Sequence, residues 1–283
     1  MVKIIKNKIK NQEVAGGNQI KEKYSSIYPW IRYNFEYDPF QKNTVETPRV
    51  ENALQNLNSL GYACDDFKTI HDGKHILFNG CSQTYGYGIE HDENWTTKVY
   101  DHISKHFKTS GYYNIAYPAR GIHNIIFETI KYCETYGSPD YIFICFPDIH
   151  RFFGTSTEDK LNKQYTLTTK VASEEDLSLF YDWAKPTIFQ YYYMLEKYCE
   201  LKNIKLFSFS WQLETEEMFK EFNFKSFYFP DEPRKYHYIQ DYHIKNPNDP
   251  YYLIARDDCH LGTGWHSYSG LVMSEEFDSF ISS

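Results

Sequence analysis

Three residues of this chain have the types that acyl transfer requires: Ser82 and, roughly 180 positions downstream, Asp257 and His260. A serine hydroxyl is a poor nucleophile until a positioned base takes its proton. His260 is of the type to do so, and Asp257, three residues earlier, is spaced to fix the imidazole tautomer and stabilise the imidazolium. His266 is a competing base, ranked behind His260 because of the Asp257 spacing. Taken singly, each segment reads as readily as plain structure: a serine in a glycine-rich turn, or a loop histidine beside a solvated acidic pair.

These side chains need elements to carry them. Ile76, Leu77 and Phe78 form a continuous apolar run, as expected of a strand covered on both faces in a parallel sheet. Gly80, Gly86 and Gly88 follow and permit the tight backbone of a strand-to-helix turn, so Ser82 is delivered to the carboxyl end of a strand, where open α/β sheets bind ligands. Asp92 and Glu93 suit a helix start, with Trp95, Val99, Ile103 and Phe107 at near-helical spacing; Ser110 and Gly111 end that helix. A second strand is expected over Tyr112 to Ala116, and Gly121 then opens a helix bearing Ile122, Ile125, Ile126, Ile130 and Cys133. Backbone N–H groups at such a helix start point into the crevice, although a turn is an equally good reading of the glycine.

Tyr141 to Phe146 is the clearest strand, bounded by proline–aspartate pairs. After it come a polar loop from residue 152, then a helical pattern from Ser173 to Leu201 that Pro186 should kink or divide, with Tyr191 to Leu195 aromatic on all sides and so expected to be mostly buried. Ile204 to Ser210 gives strand four, with Trp211 and Gln212 at the crevice rim. Residues 225–250 form a loop-rich insertion whose tyrosines either select substrate or wrap the structure; its His237 and His243 lack a carboxylate at ligand spacing and do not make a metal site. Residues 1–70 are expected to be an irregular, aromatic-rich arm ending in a short helix over Val50 to Leu57, packed on the core or on another chain, and residues 71–283 the main domain.

Gly80 to Gly86 resembles the first sequence block of the SGNH (GDSL-type) hydrolases, Gly121 sits where that family has its second, and Asp257 to His260 is similar to its last. The resemblance covers roughly residues 71 to 283. It implies a three-layer α/β/α sandwich around an open, flavodoxin-like parallel sheet of about five strands with right-handed crossovers. It further implies a serine esterase with Ser82, Asp257 and His260 as its triad, an oxyanion hole from the N–H groups of Ser82 and Gly121, and no cofactor or metal. Acyl esters are the implied substrates, with acetylated glycans favoured by the aromatic loops. Two positions depart from the pattern. Cys81 replaces the usual aspartate before the nucleophile, and the third oxyanion donor, an asparagine in the family, aligns with Asp148. An ionised carboxylate accepts and cannot donate, and losing one such donor costs about 3 kcal/mol. Asn79, Asn114, His150 or Arg151 are the substitutes at hand; equally, Asp148 and Arg151 form an ion pair that caps the loop. Pro147 to Phe152 is similar to SGNH-like proteins of bacterial viruses, which implies as the alternative a catalytically weak structural or binding protein of a virus particle.

Composition narrows the field. At 283 residues and 41% hydrophobic, the chain can bury a substantial core. Its six cysteines are scattered without zinc-site spacing, so free thiols are expected. A net charge of -8 opposes general nucleic-acid binding. The apolar run at the amino terminus is too short for a signal sequence and no segment is long enough to span a bilayer, which makes a cytoplasmic or virion-associated protein the expectation.

Overall fold

A computed structural model describes residues 58–60, 62–86, 88–118, 120–149, 151–155, 162–166, 174–229 and 260–283. The chain divides into two units, Met1–Asp66 and Phe67–Ser283. Phe67, the first residue of the second unit, meets the rings of Tyr113, Tyr132 and Tyr136 at tilted and edge-on angles. In the first unit the described residues form a turn around Asn58, whose Oδ1 accepts from the N–H groups of Leu60 and Tyr62. Residues 1–57 and 61 of the expected arm, including the Val50 to Leu57 helix, lie outside the described residues, as do residues 230–250 of the insertion.

In the second unit four parallel strands, β1 (Lys74–Gly80), β2 (Thr109–Asn114), β3 (Tyr141–Phe146) and β6 (Lys205–Ser210), form an open sheet in the order β2-β1-β3-β6. The helices α1 (Ser82–Tyr85) and α2 (Trp95–His106) follow β1, α3 (Ile122–Tyr136) follows β2, α4 (Glu174–Leu201) precedes β6, and α5 (Leu213–Phe222) and α6 (Thr263–Ile281) come after it. Side-chain alternation assigns the faces. Phe78, Phe143 and Phe207 are register partners stacked at 5.5 and 4.7 Å, and this aromatic row is covered by Trp95 of α2 and Phe277 of α6. Asn79 and Phe146 point the other way, to α3 and to α4 and α5. Helices on both faces make the three-layer α/β/α arrangement, and all six residues of β3 are buried, as both-face coverage demands.

The sheet differs from expectation at its edge, with four full strands instead of about five. A fifth position is held by one parallel bridge between Ser208 and Phe227, closed by Ser208 N–H to Ser226 O at 2.9 Å and Tyr228 N–H to Ser208 O at 2.7 Å. Tyr192 on α4 supports it, its hydroxyl bonding those of Ser208 and Ser226. The polar loop after residue 152 is in fact an antiparallel pair, β4 (Arg151–Thr155) and β5 (Asn162–Thr166). Helix α4 runs through Pro186 undivided. The Tyr191 to Leu195 run is not mostly buried: Tyr192 and Leu195 are, while Tyr191, Tyr193 and Met194 are exposed, because only the stripe through Ile188, Tyr192, Leu195 and Cys199 faces the sheet. Asp92 and Glu93 lie in a separate 3-10 turn, and Asn94 caps α2 by accepting from Thr96 N–H. Strand β2 begins at Thr109, so Ser110 and Gly111 belong to it. The five described cysteines are buried free thiols, and no described helix is long and apolar enough to cross a membrane.

Candidate active site

The strand order reverses between β1 and β3, since β2 lies on one side of β1 and β3 on the other. In open α/β sheets the crevice outside the carboxyl ends of the strands at this reversal is where ligands bind. Ser82 follows β1 and Asp148 follows β3, so both stand at that reversal.

The chain leaves β1 at Gly80, where any Cβ would lie 2.1 Å from Thr84 Oγ1 and 2.8 Å from the Cys145 carbonyl oxygen. Only glycine lets the single turn of α1 fold back this tightly. Ser82, 5% exposed, is the first residue of that turn, so its N–H has no intrahelical acceptor. Among the described residues neither its N–H nor its hydroxyl makes a hydrogen bond to protein. One turn of helix is too short to be stable alone. It is held by its carboxyl end: the Thr84 carbonyl accepts from Asn94 Nδ2 at 2.9 Å and Asn114 Nδ2 at 3.1 Å. Cys81 caps the turn and is fully buried. Burial, and after it the nearness of Cys81, pushes the Cys145 thiol well above its ordinary value, so this neighbour stays protonated and is no rival nucleophile.

His260 is half-buried in the loop that enters α6. The next residue ties that loop to the serine turn, Leu261 N–H donating to Gln83 Oε1 at 3.3 Å. Gln83 was not singled out in the sequence, where nothing but its place beside Ser82 marks it. His266 is fully buried, and its Nδ1 accepts the backbone N–H of Trp95 at 3.2 Å. That bond places the ring proton of the neutral imidazole on Nε2 and commits the Nδ1 lone pair to the first turn of α2. Asp257, His150 and Cys259 lie outside the described residues.

Gly121 caps α3, and a Cβ there would lie 2.3 Å from the Arg151 carbonyl oxygen, so the β4 strand rests directly on it. Its N–H donates to Asn124 Oδ1 at 3.2 Å. Asn124, three residues into the helix, was also missed, though its spacing from Gly121 is a capping signal. Asp148 Oδ2 lies 2.8 Å from Arg151 Nε, the loop ion pair weighed above. Neither asparagine weighed as a substitute donor has an amide hydrogen to spare. Asn79 Nδ2 donates to Ile125 O and Thr129 Oγ1, and Asn114 Nδ2 to Thr84 O and Tyr112 OH, which uses both amide hydrogens of each. Arg151 is left as the described cation beside Asp148.

Aromatic rings gather at the strand ends. Tyr85 and Tyr117 lie 5.9 Å apart, and the Arg120 guanidinium sits 5.4 Å from the Tyr117 ring. Arg120 Nε is 2.8 Å from Glu128 Oε1 in a buried pair; burial pushes the Glu128 carboxyl up, against the pull of Arg120. Trp211 follows β6, half-buried.

No family model matches the sequence, and no curated protein matches it at a significant level. Solved structures do. An acetyl xylan esterase from the rumen bacterium Butyrivibrio proteoclasticus matches at 10% identity and a TM-score of 0.43, over 75% of this chain and 65% of its own. A psychrotrophic esterase from a Pseudoalteromonas species matches at 10% identity and a TM-score of 0.44, over 74% and 98% respectively. A lipolytic G-D-S-L family protein from Veillonella parvula matches at 12% identity and a TM-score of 0.40, over 72% and 97%.

Proposed function

We propose that this chain is a serine esterase of SGNH type. The observation that carries the reading is the bond from Leu261 N–H to Gln83 Oε1, which joins the residue after His260 to the residue after Ser82 at the strand-order reversal. In the proposed reaction His260 takes the proton of Ser82 Oγ as that oxygen bonds to the acyl carbon, and the carbonyl electron pair moves onto its oxygen. The N–H groups of Ser82 and Gly121 receive the charge; an oxyanion competes well for the Gly121 N–H, because a charged acceptor outbids the neutral amide oxygen of Asn124. Collapse expels the alcohol, which takes the proton from His260, and water then releases the acid by the same steps. Asp257 orients His260. Acetyl esters on carbohydrate are the proposed substrate class, supported by the faces of Tyr85, Tyr117 and Trp211 at the strand ends.

A second reading, a non-catalytic binding or structural protein on the same fold, is favoured by Asp148 at the third donor position, engaged by Arg151. In that reading the first unit contacts another chain, and removing residues 1–66 abolishes assembly. A fluorophosphonate probe separates the two. Labelling of the wild type, lost in folded Ser82→Ala and His260→Ala variants, is the expected result. A folded wild type that neither labels nor hydrolyses an activated acetyl ester refutes the esterase and leaves the second reading.

A further inference from the structure

Away from the strand ends, three metal-ligating side chains converge. Helices α2 and α6 lie side by side and run in the same direction: His266 near the start of α6 meets Trp95 at the start of α2, and Phe277 near its end meets Phe107, 6.2 Å between centroids. His102 and His106, four apart, share one face of α2. Asp278 of α6 answers both, with Oδ1 2.8 Å from His102 Nε2 and 3.7 Å from His106 Nε2.

The donor atoms of the three residues all lie within 4.8 Å of one another. A tetrahedral centre with ligands at about 2.0–2.1 Å separates its donors by roughly 3.3 Å, and the two observed spacings bracket that value. With all three donor atoms inside 4.8 Å, rotations of these partly exposed side chains by about an ångström or two suffice to enclose an ion. Both helices end here, α2 at His106 and α6 at Ile281, so their negative ends also favour a cation. Two imidazoles and one carboxylate suit zinc and its neighbours, whereas magnesium and calcium take oxygen donors. The side chains are 26% (His102), 41% (His106) and 45% (Asp278) exposed, which leaves room for solvent ligands.

We propose that His102, His106 and Asp278 form a binding site for a divalent transition-metal ion of the zinc class, clamping the end of α6 to the end of α2. The site is independent of the serine chemistry. The test titrates the tag-free full chain, stripped with a chelator, with Zn2+ by calorimetry and with Co2+ by visible absorption. One ion per chain, a raised thermal midpoint and the intense absorption of Co2+ bound to nitrogen and oxygen donors are expected. His106→Gln and Asp278→Asn should each weaken Zn2+ binding by about tenfold or more, at least the loss typical of a group that merely supports a ligand. No saturable binding by the wild type overturns the site and leaves a plain histidine–aspartate ion pair. Undiminished binding by both variants, or Mg2+ binding as tight as Zn2+, overturns it too. If a variant unfolds, the Co2+ titration of the wild type still decides, because a spectrum that stays that of hexaaqua Co2+ throughout shows that neither histidine binds.

Discussion

Replacing His266 distinguishes a buried structural imidazole from a catalytic one. In His266→Ala the Trp95 N–H loses its acceptor in a fully buried position, which costs about 1–3 kcal/mol. Truncating a side chain somewhat smaller than phenylalanine adds a cavity cost of roughly 2 kcal/mol. The sum is about 3–5 kcal/mol, and at roughly 2–4 °C per kcal/mol for a domain of this size the melting midpoint should fall by roughly 6–20 °C. His266→Asn can place its Oδ1 near the position of Nδ1 and should recover about 1 kcal/mol, the net worth of one hydrogen bond. Both variants, assayed below their own midpoints, should keep fluorophosphonate labelling of Ser82 in proportion to the folded fraction. A His266→Ala protein that melts with the wild type yet does not label would refute the assignment and make His266 the base.

Two further outcomes follow from the geometry. Burial, and next the neighbouring His71, pushes His75 down to about 3 from 6.5. The unfolded chain then binds its proton more readily than the folded one, so stability is complete above pH 6.5 and is lost as the pH falls from 6.5 towards 3, by roughly 5 kcal/mol at most. His75→Gln, which reaches the Tyr132 hydroxyl without titrating, should flatten that decline in urea melts between pH 7 and 4; equal slopes would contradict the burial. Gly121→Ala drives a methyl group against the Arg151 carbonyl and should cost about 1–3 kcal/mol, with labelling reduced beyond the loss of folded protein. Wild-type melting and labelling would mean that the β4 strand does not rest on this glycine.

The main sheet was legible because its strands are short apolar runs cut off by glycine and proline, and a strand covered on both faces has no other way to be written. Ile76 to Phe78 and Tyr141 to Phe146 need no partner to be recognised. The β4–β5 pair was missed because Asn162 to Thr166, largely polar, carries no core-facing alternation. The exposed rings of α4 misled because hydrophobicity was read without direction: a tyrosine run passes through every face of a helix. Ser82 and His260 are candidates by residue type alone, and the contact that joins their elements runs through Gln83, whose partner is a backbone N–H that no side chain advertises. The roles of His266 and Asp278 were hidden for a like reason. Each depends on α2 and α6 lying alongside one another, across about 170 residues of chain.

The two amide groups on the Thr84 carbonyl govern how the serine turn moves. Asn94 belongs to the start of α2 and Asn114 to the end of β2, so α1 cannot open without releasing both. Its opening free energy is therefore that of the sheet and its covering helix, not that of a surface loop. In native-state hydrogen exchange the amides of Tyr85 and Gly86, bonded to Cys81 O and Ser82 O, should therefore fall in the same slow class as those of β1. Residue 82 is thereby tied to the sheet through fluctuations that would blur a side chain on an ordinary turn, which is the fixed placement that the proposed nucleophile requires.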